Sequence, residues 1–160
     1  AQGVGRVVAT DINDYRLRAA ERFGASVVIS AREDVPARLY QVNNGRLADV
    51  VVVCTGAIQA VTHALKSVER GGTILFFAPT RPEVSVPLPL ADFWRNEVTV
   101  TTSYAGAPED IAKAMELIRT HRVRVREMIT HRLSLGEIGL GFQLAAHPKE
   151  SIKVIIEPQR

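Results

Sequence analysis

Apolar residues run along this chain in two alternating rhythms. Short, nearly continuous blocks rich in valine and isoleucine read as strands: RVVAT (6–10), SVVIS (26–30), DVVVVCT (49–55), TILFFA (73–78), VTVTTSY (98–104) and IKVII (152–156). Their lack of polar alternation predicts strands covered on both faces, as in a parallel sheet. Between the blocks the period lengthens to that of a helix. Over 13–23, Leu17, Ala20 and Phe23 recur every three residues, and Gly24 supplies the stop. A second helix is expected over 33–43, opened by Glu33 and Asp34 and closed by Asn43-Asn44-Gly45, and a third over 58–69, ending before Gly71-Gly72. Pro108-Glu109-Asp110 opens a fourth, because proline needs no helical N–H there and acids suit the dipole. Its apolar face is Ile111, Ala114, Met115 and Ile118. Ser134 and Glu137 have the spacing of a capping box for a last helix running to His147. The proline-rich segment 79–92 is expected to be a loop with a short extended piece. Strands alternating with helices in this way predict right-handed crossovers and an open, doubly wound α/β sheet.

Composition narrows the classes. A chain of 160 residues with 46% hydrophobic content has enough material for one sizeable core. Lys and Arg (20) exceed Asp and Glu (17) only slightly, and the one basic cluster, HRVRVR (121–126), falls at a helix end where cations are favourable. That pattern argues against a nucleic-acid partner. The single cysteine, Cys54, has no internal disulfide partner and lies in an apolar run, which suggests core filler in a reducing compartment. No run of 18 apolar residues and no signal-peptide pattern is present, so the expectation is a soluble, cytoplasmic protein without membrane contact.

Asp11 ends the first strand. A carboxylate there has two uses: accepting both hydroxyl hydrogens of a ribose while repelling a 2′-phosphate, or capping the helix that follows. Arg16, five residues on, either lies over the ribose or adenine edge or is solvated. Gly3-Val4-Gly5 is no dinucleotide fingerprint, since Val8 stands where the third glycine belongs and the pair precedes a strand; it reads as a turn. Three strands end in small or turn-forming residues, at Thr55-Gly56, Ala78-Pro79 and Ser103-Tyr104. Ligands of such sheets bind at that carboxyl edge. The four histidines show no paired spacing, so no metal site is expected within the chain, and no Tyr-x-x-x-Lys pair occurs. No catalytic group is visible.

Taken in order, VVATDINDYRLRAAERFGA, ADVVVVCTGA, ERGGTILFFAP, VTVTTSYAGAPEDIAKAMELI and MITHRLSLGEIGLGFQLAA with SIKVIIEP resemble the zinc-dependent medium-chain alcohol dehydrogenases, particularly the sorbitol and threonine dehydrogenase branch. The resemblance covers essentially the whole chain. It implies a Rossmann-type sheet lacking its first strand and glycine-rich loop, with a partial NAD-binding domain over 1–130 and a segment over 131–160 that returns toward an absent catalytic domain. Zinc is expected only in that absent domain, where it would polarise a substrate alcohol or polyol for hydride transfer to NAD. By resemblance, Asp11 and Arg16 take the adenosine ribose, and Thr55 and Gly56 border the coenzyme cleft. Phe77, Ala78 and Pro79 meet the nicotinamide side, with Ser103 and Tyr104 at the next strand ending. The strand 98–104 edge is implied to join subunits into a dimer or tetramer. Isoleucine and valine side chains of 130–160 are expected to lack their usual cover. With strand order 3-2-1-4-5-6, omitting strand 1 leaves strands 2 and 3 apart from 4, 5 and 6, unless another chain or a rearranged piece such as 84–88 fills the lane. Two other readings stand beside this one. An S-adenosylmethionine-dependent methyltransferase also holds ribose with an acid after its second strand. A non-catalytic fragment would only associate through its sheet edge.

Overall fold

The computed structural model describes residues 3 and 5–159; Val4, in the expected opening turn, lies outside the described residues. The elements follow in the order β1 (Val8–Asp11), α1 (Asp14–Arg22), β2 (Val27–Ser30), α2 (Val35–Val42), β3 (Ala48–Val53), α3 (Ile58–Ser67) and β4 (Val68–Phe76). Then come α4 (Leu90–Arg95), β5 (Thr99–Thr102), α5 (Pro108–Arg119), β6 (Ile129–Ser134), α6 (Ile138–Ala146) and β7 (Lys153–Glu157). The sheet orders are β1-β2, β3-β4-β5 and β6-β7. Residues 84–88, a candidate to fill the open lane, form no strand. The chain divides into two compact units, 1–28 with 106–160, and 29–105.

In the unit 29–105, β3, β4 and β5 are parallel, with Val51 opposite Ile74 and Ile74 opposite Val100. Helix α3 covers one face through Val61 and Ala64, which pack with Val53, Val68, Phe93 and the fully buried Ile74. On the opposite face of β3, Val50 and Val52 are exposed, so the expected cover on both faces is absent among the described residues. Strand β4 begins at Val68 rather than 73. Gly71-Gly72 does not end a helix but absorbs a register shift, the pairing stepping from Ala48–Val68 to Val50–Thr73. Gly71 has φ 69°, and its N–H donates to the Asn96 carbonyl at 2.7 Å. A Cβ on Gly72 would lie 2.7 Å from the Glu69 carbonyl oxygen and 3.0 Å from that of Asp49. Helix α4 was not expected in the proline-rich segment. Its short Leu90–Phe93–Trp94 spacing is enough to bury Phe93 once Pro89 has turned the chain.

In the other unit, Asn13 caps α1 and Gly24, at φ 107°, stops it, the Ala25 N–H reaching back to the Ala20 carbonyl at 2.9 Å. Helix α5 forms where expected, but Ile111, Met115 and Ile118 remain exposed. Strand β6 was missed because ITHRLS sets three polar residues, Thr130, His131 and Arg132, in succession and so shows neither an apolar run nor an alternation; it pairs in parallel with β7, and Leu133 is buried. The valine and isoleucines of β7 are half-buried, not bare: α6 lies on this pair at Gly141, where a Cβ would sit 3.1 Å from Ile156 Cδ1. The Glu137 carboxylate accepts from both the N–H and the hydroxyl of Ser134, at 2.9 and 2.7 Å, completing the expected capping interaction.

The β3–β4 irregularity is fastened by Glu69, whose carboxylate accepts the Leu47 N–H at 2.8 Å and the Arg70 N–H at 3.0 Å. The Arg70 N–H, then that of Leu47, hold its carboxyl below the usual 4.5, with the charges of Arg46 and Arg70 adding to the effect. A lowered folded-state pKa gives stability that is present above the unfolded value and lost as pH falls through the folded one. Denaturant midpoints measured on both sides of this range are therefore expected to fall more steeply for the wild type than for Glu69→Gln. Parallel curves would remove Glu69 from this role.

Candidate functional site

Within the unit 29–105, the ends of three parallel strands converge on one edge. The N–H groups of Phe77 and Ala78 both donate to the Val53 carbonyl, at 3.0 and 3.1 Å, and the Ser103 N–H donates to the Phe76 carbonyl at 3.1 Å. These bonds bring Thr55-Gly56, Phe77-Ala78-Pro79 and Ser103-Tyr104 to the carboxyl edge. Gly56 is pressed against the next strand's exit: a Cβ there would overlap the Pro79 carbonyl oxygen and lie 3.4 Å from Thr80 Cα. The Thr55 hydroxyl accepts the Ala57 N–H at 3.3 Å, turning the chain into α3. Phe77 and Tyr104 project outward, 59% and 98% exposed, so the edge presents two aromatic faces beside bare backbone. Ala78 and Pro79 also border an apolar hollow of about 350 Å³ floored by Val61, Leu65 and Phe76.

Asp11 and Arg16 belong to the other unit. Asp11 is half-buried at the end of β1 and does not cap α1; that position falls to Asn13, whose side-chain oxygen accepts the N–H groups of Tyr15 and Arg16 at 2.9 and 3.3 Å. Instead, Asp11 Oδ1 accepts the Asn13 N–H at 2.8 Å, a local turn that fixes the carboxylate's direction. Arg16 is half-buried rather than solvated, and its Nη2 donates to the Ser151 carbonyl at 3.4 Å. A guanidinium has five donor hydrogens, so this bond leaves capacity for a ligand. Asn13 escaped the sequence reading. Its one signal was the spacing of an acid and an asparagine across a strand end.

Comparison with known proteins gives these edges a context. The profile described as "Zinc-binding dehydrogenase" matches residues 1–120. The chain belongs to that family. Sorbitol dehydrogenase of Bacillus subtilis is 30% identical over 164 residues, covering 100% of this chain and 45% of that protein. Among solved structures, an Escherichia coli oxidoreductase/dehydrogenase of unknown specificity superposes with a TM-score of 0.84 at 30% identity, over 97% of this chain and 44% of its own. A Sinorhizobium meliloti zinc-binding dehydrogenase bound to NADP superposes with a TM-score of 0.86 at 23% identity, over 98% and 46%. The chain thus spans less than half the length of the curated relatives it matches, and corresponds to the coenzyme-binding domain of the zinc-dependent medium-chain alcohol dehydrogenases. The methyltransferase alternative is not favoured by these relatives.

Within this zinc-binding dehydrogenase chain, no group of three or more His, Cys, Asp or Glu residues is placed to hold a metal ion among the described residues. No described helix is long and apolar enough to cross a membrane. Cys54 corrects the expectation of a core residue: β3 ends at Val53, so the thiol lies beyond the strand and is exposed. Replacing Gly56 by Ala forces the Pro79 backbone to move, and overpacking of this kind costs about 1–3 kcal/mol. The denaturant midpoint of Gly56→Ala is expected to drop accordingly, and an unchanged midpoint would show that the strand exits are not in close contact.

Proposed function

We propose that this chain is the NAD-binding part of a zinc-dependent alcohol or polyol dehydrogenase, with residues 1–130 contributing the partial coenzyme domain and 131–160 returning toward the catalytic domain. The observation that carries the reading is Asp11, a half-buried carboxylate at a strand's carboxyl end whose orientation is set by the Asn13 N–H. Among the described residues, no donor reaches its Oδ2. That geometry suits the paired hydroxyls of a ribose and opposes a 2′-phosphate.

By the family resemblance, Arg16 is assigned with Asp11 to the adenosine ribose of NAD, and the residues of the 29–105 edge are assigned separately to the coenzyme cleft. Thr55 and the side-chain-free Gly56 let a flat ligand approach the backbone, while Phe77, Ala78, Pro79, Ser103 and Tyr104 shape the nicotinamide end. NAD, when bound, supplies the hydride acceptor. The named residues bind and select it. Zinc ligation is assigned, by the family resemblance, to the catalytic domain, and the substrate to the small alcohols and polyols, because the relatives include a sorbitol dehydrogenase and a D-xylulose reductase.

Charge-assisted hydrogen bonds are worth about 1.5–3 kcal/mol. Calorimetric titration of the full-length protein is therefore expected to show NADH bound more tightly than NADPH, with Asp11→Ala reducing that preference by about ten- to a hundredfold. Equal affinities in the wild type would end the proposal.

We further propose that the protein is a homo-oligomer, a dimer or tetramer, through the 98–104 edge. β5 is the terminal strand of its sheet and is exposed at every position. Because the Ser103 N–H turns inward to Phe76, the alternating N–H groups of Val100 and Thr102 face outward, ready for a symmetric copy. Thr102→Pro removes one such donor and is expected to shift sedimentation toward monomer. A monomeric wild type would refute the pairing.

A further inference from the structure

We infer that Asn13 is a positioning residue for the coenzyme, making the 148–151 segment the support on which the ribose-selecting carboxylate rests. The inference rests on the proposed role of Asp11. Every polar group of Asn13 has a separate employment. Its backbone N–H orients Asp11 Oδ1, at 2.8 Å. Its side-chain oxygen caps α1 through the Tyr15 and Arg16 N–H groups. Its side-chain nitrogen donates to the Pro148 carbonyl at 3.0 Å and the Lys149 carbonyl at 2.7 Å.

Capping alone does not require asparagine. Serine or aspartate accepts the same backbone hydrogens about as well. What neither reproduces is an amide that accepts on one side while donating twice on the other. Those two donors hold the chain leaving α6, and the hold is repeated nearby: Arg16 Nη2 donates to the Ser151 carbonyl at 3.4 Å, and Ser151 is only 2% exposed. Just beyond, the Ile152 N–H donates to the Thr130 hydroxyl at 3.1 Å, rooting the segment on β6. The turn carrying Asp11 is thereby tied to a sheet far along the chain. A ribose needs the carboxylate in one orientation, and fixing it beforehand removes an ordering cost from binding.

A structural cap and a positioning residue differ in one measurable respect: the second acts only through Asp11. In the full-length protein, Asn13→Ser keeps a capping oxygen but cannot span to both carbonyls. It is expected to raise the NADH dissociation constant about tenfold through the lost preorganisation of Asp11, beside a modest fall in thermal stability from the lost intramolecular bonds. In an Asp11→Ala background the same substitution is expected to change NADH affinity less than twofold. Asn13→Asp, which caps but cannot donate, is expected to behave likewise and serves if the serine variant does not fold. In the wild type, NADH is expected to slow hydrogen exchange at the amides of 149–152. Equal effects of Asn13→Ser in both backgrounds, no effect in either, or unchanged exchange at 149–152 would overturn the positioning role while leaving Asp11 in place. Asp11→Ala without effect on coenzyme preference would instead remove the reading on which it rests.

Discussion

The Val53 carbonyl oxygen receives two N–H groups, from Phe77 and Ala78, and the candidate edge depends on that junction. It locks the exit of β4 to the exit of β3. Once locked, Gly56 must lie against Pro79, and the Phe76 carbonyl is left to receive Ser103 from β5. The three strand ends are thus held to one another by backbone bonds, which leaves the Phe77 and Tyr104 side chains exposed to meet a ligand. The buried Ile74, two residues before Phe76, anchors the same strand in the core under α3. Packing below the edge and openness at it are consequences of one register.

Much of this fold was legible in the sequence because its strands are short valine-rich blocks and its helices carry explicit start and stop residues. Asn44, Gly45 and Gly24 adopt positive φ angles where a helix was expected to stop. What stayed hidden has physical causes. Strand β6 carries threonine, histidine and arginine in succession, so its identity comes from pairing with β7 rather than from its own composition. Helix α4 is only Leu90–Arg95, too short for a periodic signal amid prolines. Gly71-Gly72 looked like a helix stop because a bulge in a strand uses the same residue. The misplacement of Cys54 was an error of one residue: the apolar run continues past Val53, but the strand does not.

The candidate site was legible in part for similar reasons. Small residues at strand ends and an acid after the first strand can be read directly. Asn13 cannot, because its partners are backbone carbonyls 135 and 136 positions away, and a carbonyl has no sequence signature. Only Asp11 was weighed from the sequence as the cap of α1, whereas Asn13, an equally good capping residue, has the extended φ and ψ of that position. Arg16 is similar, since only the fold brings Ser151 within reach of its guanidinium.

The contrast between Gly56 and Tyr104 sets where the edge tolerates redesign. Position 56 is closed to every larger side chain by rigid main chain on the neighbouring exit, so diversity introduced there is spent on repairing the scaffold. Position 104 stands almost wholly in solvent at the tip of the third strand, and Phe77 is similarly unencumbered. Libraries that vary 77 and 104 while leaving 56 untouched would alter the surface a ligand meets without disturbing the sheet that carries it.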